Sequence, residues 1–182
     1  MPEIKSICVF CGASNNVDQK FFNEGALLGK EMAEKNITLV YGGADCGVMG
    51  AVANGVLEKN GNAVGVFPEI LDGLESAHTT LSEIIRVADM HTRKMTMFDR
   101  SDAFVVMPGG FGTMDETFEV ITWKQLQTHK KPVIMYNYDG YWDLWQQFTD
   151  HIITNGFASE QTRDLYDIVS TREEIFSVLG ID

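Results

Sequence analysis

Residues 108 to 116 read Pro108-Gly109-Gly110-Phe111-Gly112-Thr113-Met114-Asp115-Glu116 and follow the apolar run Ala103-Phe104-Val105-Val106-Met107. This order predicts a buried strand that opens through a glycine turn into a helix, with a hydroxyl and two carboxylates at the helix start. A helix N-terminus leaves backbone N–H groups unpaired and carries partial positive charge, so it is a natural seat for phosphate. Glycines let the backbone approach an anion with no Cβ in the way. Thr113 can add a hydroxyl donor. The acids need a separate explanation, because a loop that only holds phosphate gains nothing from Asp115 and Glu116. One of them therefore faces something else, such as a sugar or a reacting water.

Two further glycine turns follow apolar runs. Tyr41-Gly42-Gly43 continues through Asp45-Cys46-Gly47-Val48-Met49-Gly50, and Cys11-Gly12-Ala13-Ser14 closes the first strand. Neither fits G-x-G-x-x-G or a P-loop. Gly43 is as consistent with a tight strand-to-helix turn as with a ligand role, and Ser14 with a cap or turn hydroxyl as with a ligand donor. Met90-His91-Thr92-Arg93-Lys94 places two cations at a helix start, where they oppose the macrodipole and call for an anionic partner. His91 has no companion His or Cys at metal-ligand spacing. Neither metal nor cofactor is expected.

The elements that must position these residues alternate regularly. Strands are predicted at 6–11, 37–41, 63–67, 83–87, 103–107, 132–136 and 167–169. Phe21, Gly25, Leu28 and Met32 mark one face of a first helix, and others are predicted at 48–58, 90–100, from Gly112 to about residue 127, 142–153 and 173–179. Pro68 is expected to stop the third strand, and 69–82 to be irregular. Strands apolar throughout, each followed by a helix, imply a parallel sheet covered on both faces. The expected fold is a Rossmann-like doubly wound α/β sheet, with one domain spanning residues 1–182. Ligands of such sheets gather beyond the carboxyl ends of the strands, where the three glycine turns fall.

A formal net charge of −12 excludes the basic footprint of a protein that grips long nucleic acid. Any bound phosphate is then a small ligand held by local donors. No stretch is long and apolar enough to span a bilayer, and the first residues lack a signal-peptide layout, so no membrane partner and a cytoplasmic location are expected. Cys8, Cys11 and Cys46 argue against a disulfide framework. Cys8 and Cys11 spell C-x-x-C, but within a strand positions three apart point to opposite faces, so both read as small packing residues.

Together these residues resemble the LONELY GUY (LOG) family of cytokinin riboside 5′-monophosphate phosphoribohydrolases, many of which carry an old label as possible lysine decarboxylases. The resemblance covers nearly the whole chain. It rests on P-G-G-x-G-T-x-x-E, matched from Pro108 to Glu116, and on M-H-x-R-K, matched from Met90 to Lys94. Cys11 to Ser14, Tyr41 to Gly43, Gly47 to Gly50 and Val120 to Trp123 are further landmarks. The resemblance implies that Arg93 and Glu116 are the catalytic pair. It implies nucleotide contacts at Glu75, Arg93, Lys94, Gly110, Phe111, Gly112, Thr113, Met114, Asp115, Glu116 and Thr122, beside the candidate turn residues Ser14, Gly43 and Gly109. It also implies a homodimer with each active site near the subunit boundary.

The implied reaction is hydrolysis of the N-glycosidic bond of an adenosine 5′-monophosphate, plain or N6-modified, to free base and ribose 5-phosphate. Such a reaction passes through an oxocarbenium-like transition state, which a nearby carboxylate stabilises while taking a proton from the attacking water. Glu116 suits both tasks. Arg93 does not suit general acid catalysis, because a guanidinium keeps its proton. The same fold also serves non-catalytic nucleotide-binding or sensing proteins. A nicotinamide-dependent oxidoreductase would need a dinucleotide fingerprint, and a lysine decarboxylase a lysine in a recognisable pyridoxal-phosphate setting. Neither is found.

Overall fold

The computed structural model describes residues 3–73 and 76–181. Seven strands form one sheet: Ser6–Phe10 (β1), Thr38–Tyr41 (β2), Ala63–Pro68 (β3), Glu83–Val87 (β4), Ala103–Val106 (β5), Val133–Tyr136 (β6) and Asp167–Val169 (β7). Their spatial order is β4-β3-β2-β1-β5-β6-β7, and every pairing is parallel. The helices are Gln19–Glu34 (α1), Gly47–Glu58 (α2), Met90–Asp99 (α3), Phe111–Gln125 (α4), Asp143–Thr154 (α5) and Arg172–Leu179 (α6). The Rossmann-like doubly wound reading holds. Among the described residues no helix is long and apolar enough to cross a membrane.

Alternation along each strand divides the core into two layers. Ile7, Val9 and Cys11 pack with Leu28, Met32, Val52 and Phe176, which places α1, α2 and α6 on one face. Cys8, Phe10 and Phe104 pack with Met97, Val120 and Trp145, which places α3, α4 and α5 on the other. Cys8 and Cys11 thus serve opposite layers as free, buried packing residues.

Most boundaries shift by a residue or two from the sequence reading, and two of the shifts have a clear physical reason. Pro68 belongs to β3, in register with Val87, since proline loses its N–H but keeps its carbonyl for pairing. α4 begins at Phe111, ahead of Gly112. A glycine costs little in the first turn, where N–H groups have no helical partner in any case.

The strand order fixes where a ligand can sit. From β1 the chain winds outward through β2, β3 and β4, then returns to place β5 on the other side of β1. Connections leave β1 and β5 in opposite directions, so a crevice opens at their carboxyl ends. Two of the helices that reach this crevice, α3 and α4, start differently. Asp89 caps α3, its carboxylate accepting from the Thr92 N–H at 2.8 Å and the Thr92 hydroxyl at 3.1 Å. These bonds hold the Asp89 carboxyl below its ordinary pKa. Gly110 caps α4 with no side chain at all, leaving that N-terminus open.

Candidate active site

A cavity of about 510 Å³ fills the crevice. Its floor comes from the ends of β1, β2 and β5, so the glycine turns after these three strands all reach it. Gly109, Gly110, Gly112 and Thr113 line one end. The first helical bond of α4 runs from the Met114 N–H to the Gly110 carbonyl at 3.0 Å, which leaves the N–H groups of residues 111 to 113 ahead of the helical ladder. Gly109 has to be glycine: a Cβ there would lie 2.1 Å from the Thr113 hydroxyl oxygen.

Arg93 and Glu116 meet deeper in the cavity. Arg93 is 7% exposed, and its guanidinium donates from Nε to the Val66 carbonyl at 3.2 Å and from Nη2 to the Gly42 carbonyl at 3.1 Å. Its remaining nitrogen, Nη1, lies 3.8 Å from Glu116 Oε1. That distance is electrostatic contact rather than a hydrogen bond. The carboxylate is therefore steered by the cation yet not consumed by it. Gly42 makes room for this arrangement, because a Cβ there would stand 1.8 Å from Arg93 Nη2.

Glu116 lies one helical turn beyond Thr113, so both project into the cavity from the same face of α4. The Glu116 side chain is 13% exposed. Burial pushes its carboxyl up to about 7, against the pull of Arg93 and Lys94 and with further push from Asp115 and Glu119. A carboxyl balanced there exchanges protons at neutral pH, which is what a general base requires.

The other predicted site residues divide. Ser14 lines the cavity, and its hydroxyl accepts from the Asn16 N–H at 3.1 Å. Gly42 rather than Gly43 reaches the cavity wall; the Gly43 carbonyl instead accepts from the His78 N–H at 2.9 Å. Lys94 turns away, bonding Asp115 at 3.2 Å and Glu119 at 3.1 Å. The anionic partners that the α3 cations call for are thus the protein's own acids on α4. Phe111, 93% exposed, and Asp115, Met114 and Thr122 do not line the cavity. Thr122 is on the exposed side of α4, and His91 is also exposed. Glu75 lies outside the described residues.

The sequence reading missed two contributors. Tyr141, from the turn after β6, lines the cavity and donates from its hydroxyl to the Gly109 carbonyl at 2.7 Å. His78 is 5% exposed, and its ring nitrogen Nε2 lies 3.1 Å from Asn54 Oδ1 on α2. With the Asp45 N–H donating to the Ser76 carbonyl at 2.9 Å, it straps the irregular 76–80 segment onto the Gly42–Asp45 turn. A lone aromatic after a strand and a lone histidine in an irregular segment carry no spacing signal that would have found either.

By fold and cavity, the chain is a Rossmann-like α/β protein with a candidate small-molecule site at the carboxyl edge of its sheet. A family model described as possible lysine decarboxylase matches residues 49–179. The probable cytokinin riboside 5′-monophosphate phosphoribohydrolase LOG6 of Arabidopsis thaliana is 42% identical over 172 residues, covering 94% of this chain and 86% of that protein. The cytokinin riboside 5′-monophosphate phosphoribohydrolase LOG3 of the same plant is 40% identical over 177 residues, covering 97% and 82%. Among solved structures, the molybdenum cofactor binding protein of Rippkaea orientalis matches with a TM-score of 0.75 at 19% identity, over 99% of this chain and 98% of that one. That likeness is one of fold. The chain belongs to the LOG family.

The crowding at Gly42 and the buried carboxyl of Glu116 each have a consequence for stability. Replacing Gly42 by Ala should displace the Arg93 guanidinium and cost about 1–3 kcal/mol by overpacking, read as a lower denaturation midpoint. An unchanged midpoint would show that the buried cation has room the structure does not give it. Glu116→Gln tests the burial of the carboxyl. A carboxyl whose folded pKa lies above its unfolded value loses stability as pH rises from about 4.5 through about 7. The Gln variant escapes that loss, so it should exceed the parent in stability by up to about 3 kcal/mol at pH 8 and match it near pH 4. Equal stability at both pH values would contradict the desolvated carboxylate.

Proposed function

We propose that this protein hydrolyses the N-glycosidic bond of adenosine 5′-monophosphates, releasing free base and ribose 5-phosphate, with Glu116 and Arg93 as its catalytic residues. The observation that carries this reading is the placement of a buried carboxylate one helical turn from an uncapped helix N-terminus in one cavity. The phosphate and the anomeric carbon of one ribose phosphate are separated by a few bonds, and the two features are separated by about the same span. Family membership supports the same reaction.

In this reading the 5′-phosphate accepts from the N–H groups and hydroxyl around Gly110 to Thr113, with the dipole of α4 behind them. The sugar then lies over Glu116. As the C1′–N9 bond breaks, its electron pair leaves with the purine and positive charge develops at C1′ and the ring oxygen. The Glu116 carboxylate, its side chain only 13% exposed, faces that charge from a buried setting, where a fixed charge acts most strongly. Water attacks C1′ and gives its proton to Glu116, and the departing purine takes up one proton. Arg93, fixed by two carbonyls, orients Glu116 and offers Nη1 to a ribose hydroxyl.

Apolar side chains form much of the remaining wall, including Val17, Phe21, Met49, Leu71 and Met90. They suit the flat face of a base, plain or N6-substituted. The chain also acts as a cytoplasmic homodimer in this reading. Of the aromatic residues Trp142, Trp145 and Phe148, the two tryptophans are core, while Phe148 is 48% exposed. Phe148 continues a face with Phe118, ring centroids 6.4 Å apart, and with Leu144, 72% exposed. A second copy covering this face would give a sedimenting species of twice 20.3 kDa.

Base release from AMP, an N6-prenylated AMP and their ribosides tests the function. Each charge-assisted contact to phosphate contributes about 1.5–3 kcal/mol, so loss of the phosphate should lower kcat/KM by at least about 100-fold. Comparable rates for riboside and monophosphate would remove the phosphate site from the reading. Glu116→Gln should abolish most turnover while affinity for the monophosphate stays within about tenfold, since the lost charge acts in the transition state. In the parent protein kcat/KM should rise with pH through about 7 as Glu116 ionises, above the second ionisation of the substrate phosphate near about 6. A residual Gln-variant rate with the same pH limb would assign that limb to another group.

A further inference from the structure

We propose that Tyr141 is a positioning residue for the phosphate turn, holding the Gly109–Gly110 peptide so that its N–H faces the ligand. The proposal rests on the reading of Pro108 to Glu116 as a phosphate site.

The turn has three successive carbonyls that could repel an anion, and each is held by a donor within the protein. The Pro108 carbonyl accepts from the Gly12 N–H at 3.1 Å, and the Gly110 carbonyl from the Met114 N–H at 3.0 Å. The Gly109 carbonyl accepts from the Tyr141 hydroxyl at 2.7 Å. Only the middle one depends on a side chain. A trans peptide points its carbonyl and N–H in opposite directions. Holding the Gly109 carbonyl against Tyr141 therefore fixes the direction of the Gly110 N–H.

On its Gly110 side that peptide meets no steric restraint. A Cβ built on Gly110 would meet no atom within 4 Å, and the same is true of Gly112. Rotation of the peptide would exchange a donor for a carbonyl at the place where charge must be bound. Tyr141, by contrast, stands on a braced support. The Trp142 N–H donates to Asn137 Oδ1 at 2.6 Å, and Asn137 Nδ2 donates to Asp143 Oδ1 at 2.8 Å. Asp139 pairs with Lys20 at the start of α1. The Tyr141 ring meets Phe21 and Trp142 edge-on, with centroids 5.8 and 4.9 Å away. A hydroxyl delivered from such a frame preorganises the turn before ligand arrives.

Tyr141→Phe tests this, since it keeps the ring contacts and removes only the hydroxyl. Three constants are compared between parent and variant: kcat/KM for AMP, and the inhibition constants of ribose 5-phosphate and of adenine. Loss of one hydrogen bond should weaken the two phosphate-bearing ligands by about 3- to 15-fold. Adenine, which carries no phosphate, should change by less than about twofold, and the thermal midpoint should fall by no more than the few degrees that loss of one hydrogen bond costs. Equal weakening of all three ligands would mean a general wall role and would overturn the proposal, as would no change in any. If the parent itself binds ribose 5-phosphate no better than ribose, the phosphate reading fails and the Tyr141 proposal falls with it. A parent that prefers the phosphate while the variant shows no selective loss would sink only the Tyr141 proposal.

Discussion

A buried guanidinium dictates the layout of this protein's cavity. Arg93 can lie 7% exposed because its donors are met by the Val66 and Gly42 carbonyls, with the Glu116 carboxyl beside it. A buried charge without such partners would cost several kcal/mol. Those partners come from β3, from the turn after β2 and from α4, so three separate parts of the fold must converge on one side chain. The parallel sheet achieves this by bringing their strand ends to one edge. Asp89 sets the start of α3 and hence the rotation that aims Arg93 inward.

The same convergence shapes the electrostatics. Burial that favours a neutral Glu116 is opposed by Arg93 at 3.8 Å, and the balance leaves the carboxyl near neutral pH. Lys94, one residue beyond Arg93, is spent on Asp115 and Glu119 outside the cavity. α3 and α4 are therefore joined by three ion pairs that fall into two groups with different tasks. The Lys94 cluster ties the helices together near the surface, while the Arg93 pair faces the ligand space.

Much of this was legible in the sequence, for identifiable reasons. Apolar runs marked the central strands, shorter β-branched runs marked the edge strands β4 and β7, and the glycine turns after β1, β2 and β5 marked the crevice. The resemblance of two motifs to the LOG family, rather than any local pattern, pointed to Arg93 and Glu116 as a pair. Sequence could not say which of two adjacent acids faces inward, because residues 115 and 116 differ by about 100° around a helix and the axis rotation is set by packing. Nor could it predict that Lys94 would be neutralised within the protein. Tyr141 was invisible for a topological reason: it reaches Gly109 because β6 pairs with β5, a neighbour relation no local pattern encodes.

In the proposed reaction one ribose phosphate spans the distance from the open N-terminus of α4 to the Glu116 carboxylate. A crystal structure of the Glu116→Gln variant with AMP tests it most directly. The account predicts phosphate oxygens within hydrogen-bond distance of the N–H groups at Gly110 to Thr113, and C1′ facing the side chain at position 116 and Arg93. A nucleotide bound with its phosphate at Lys94, or with its base against α4 and C1′ away from position 116, would contradict it.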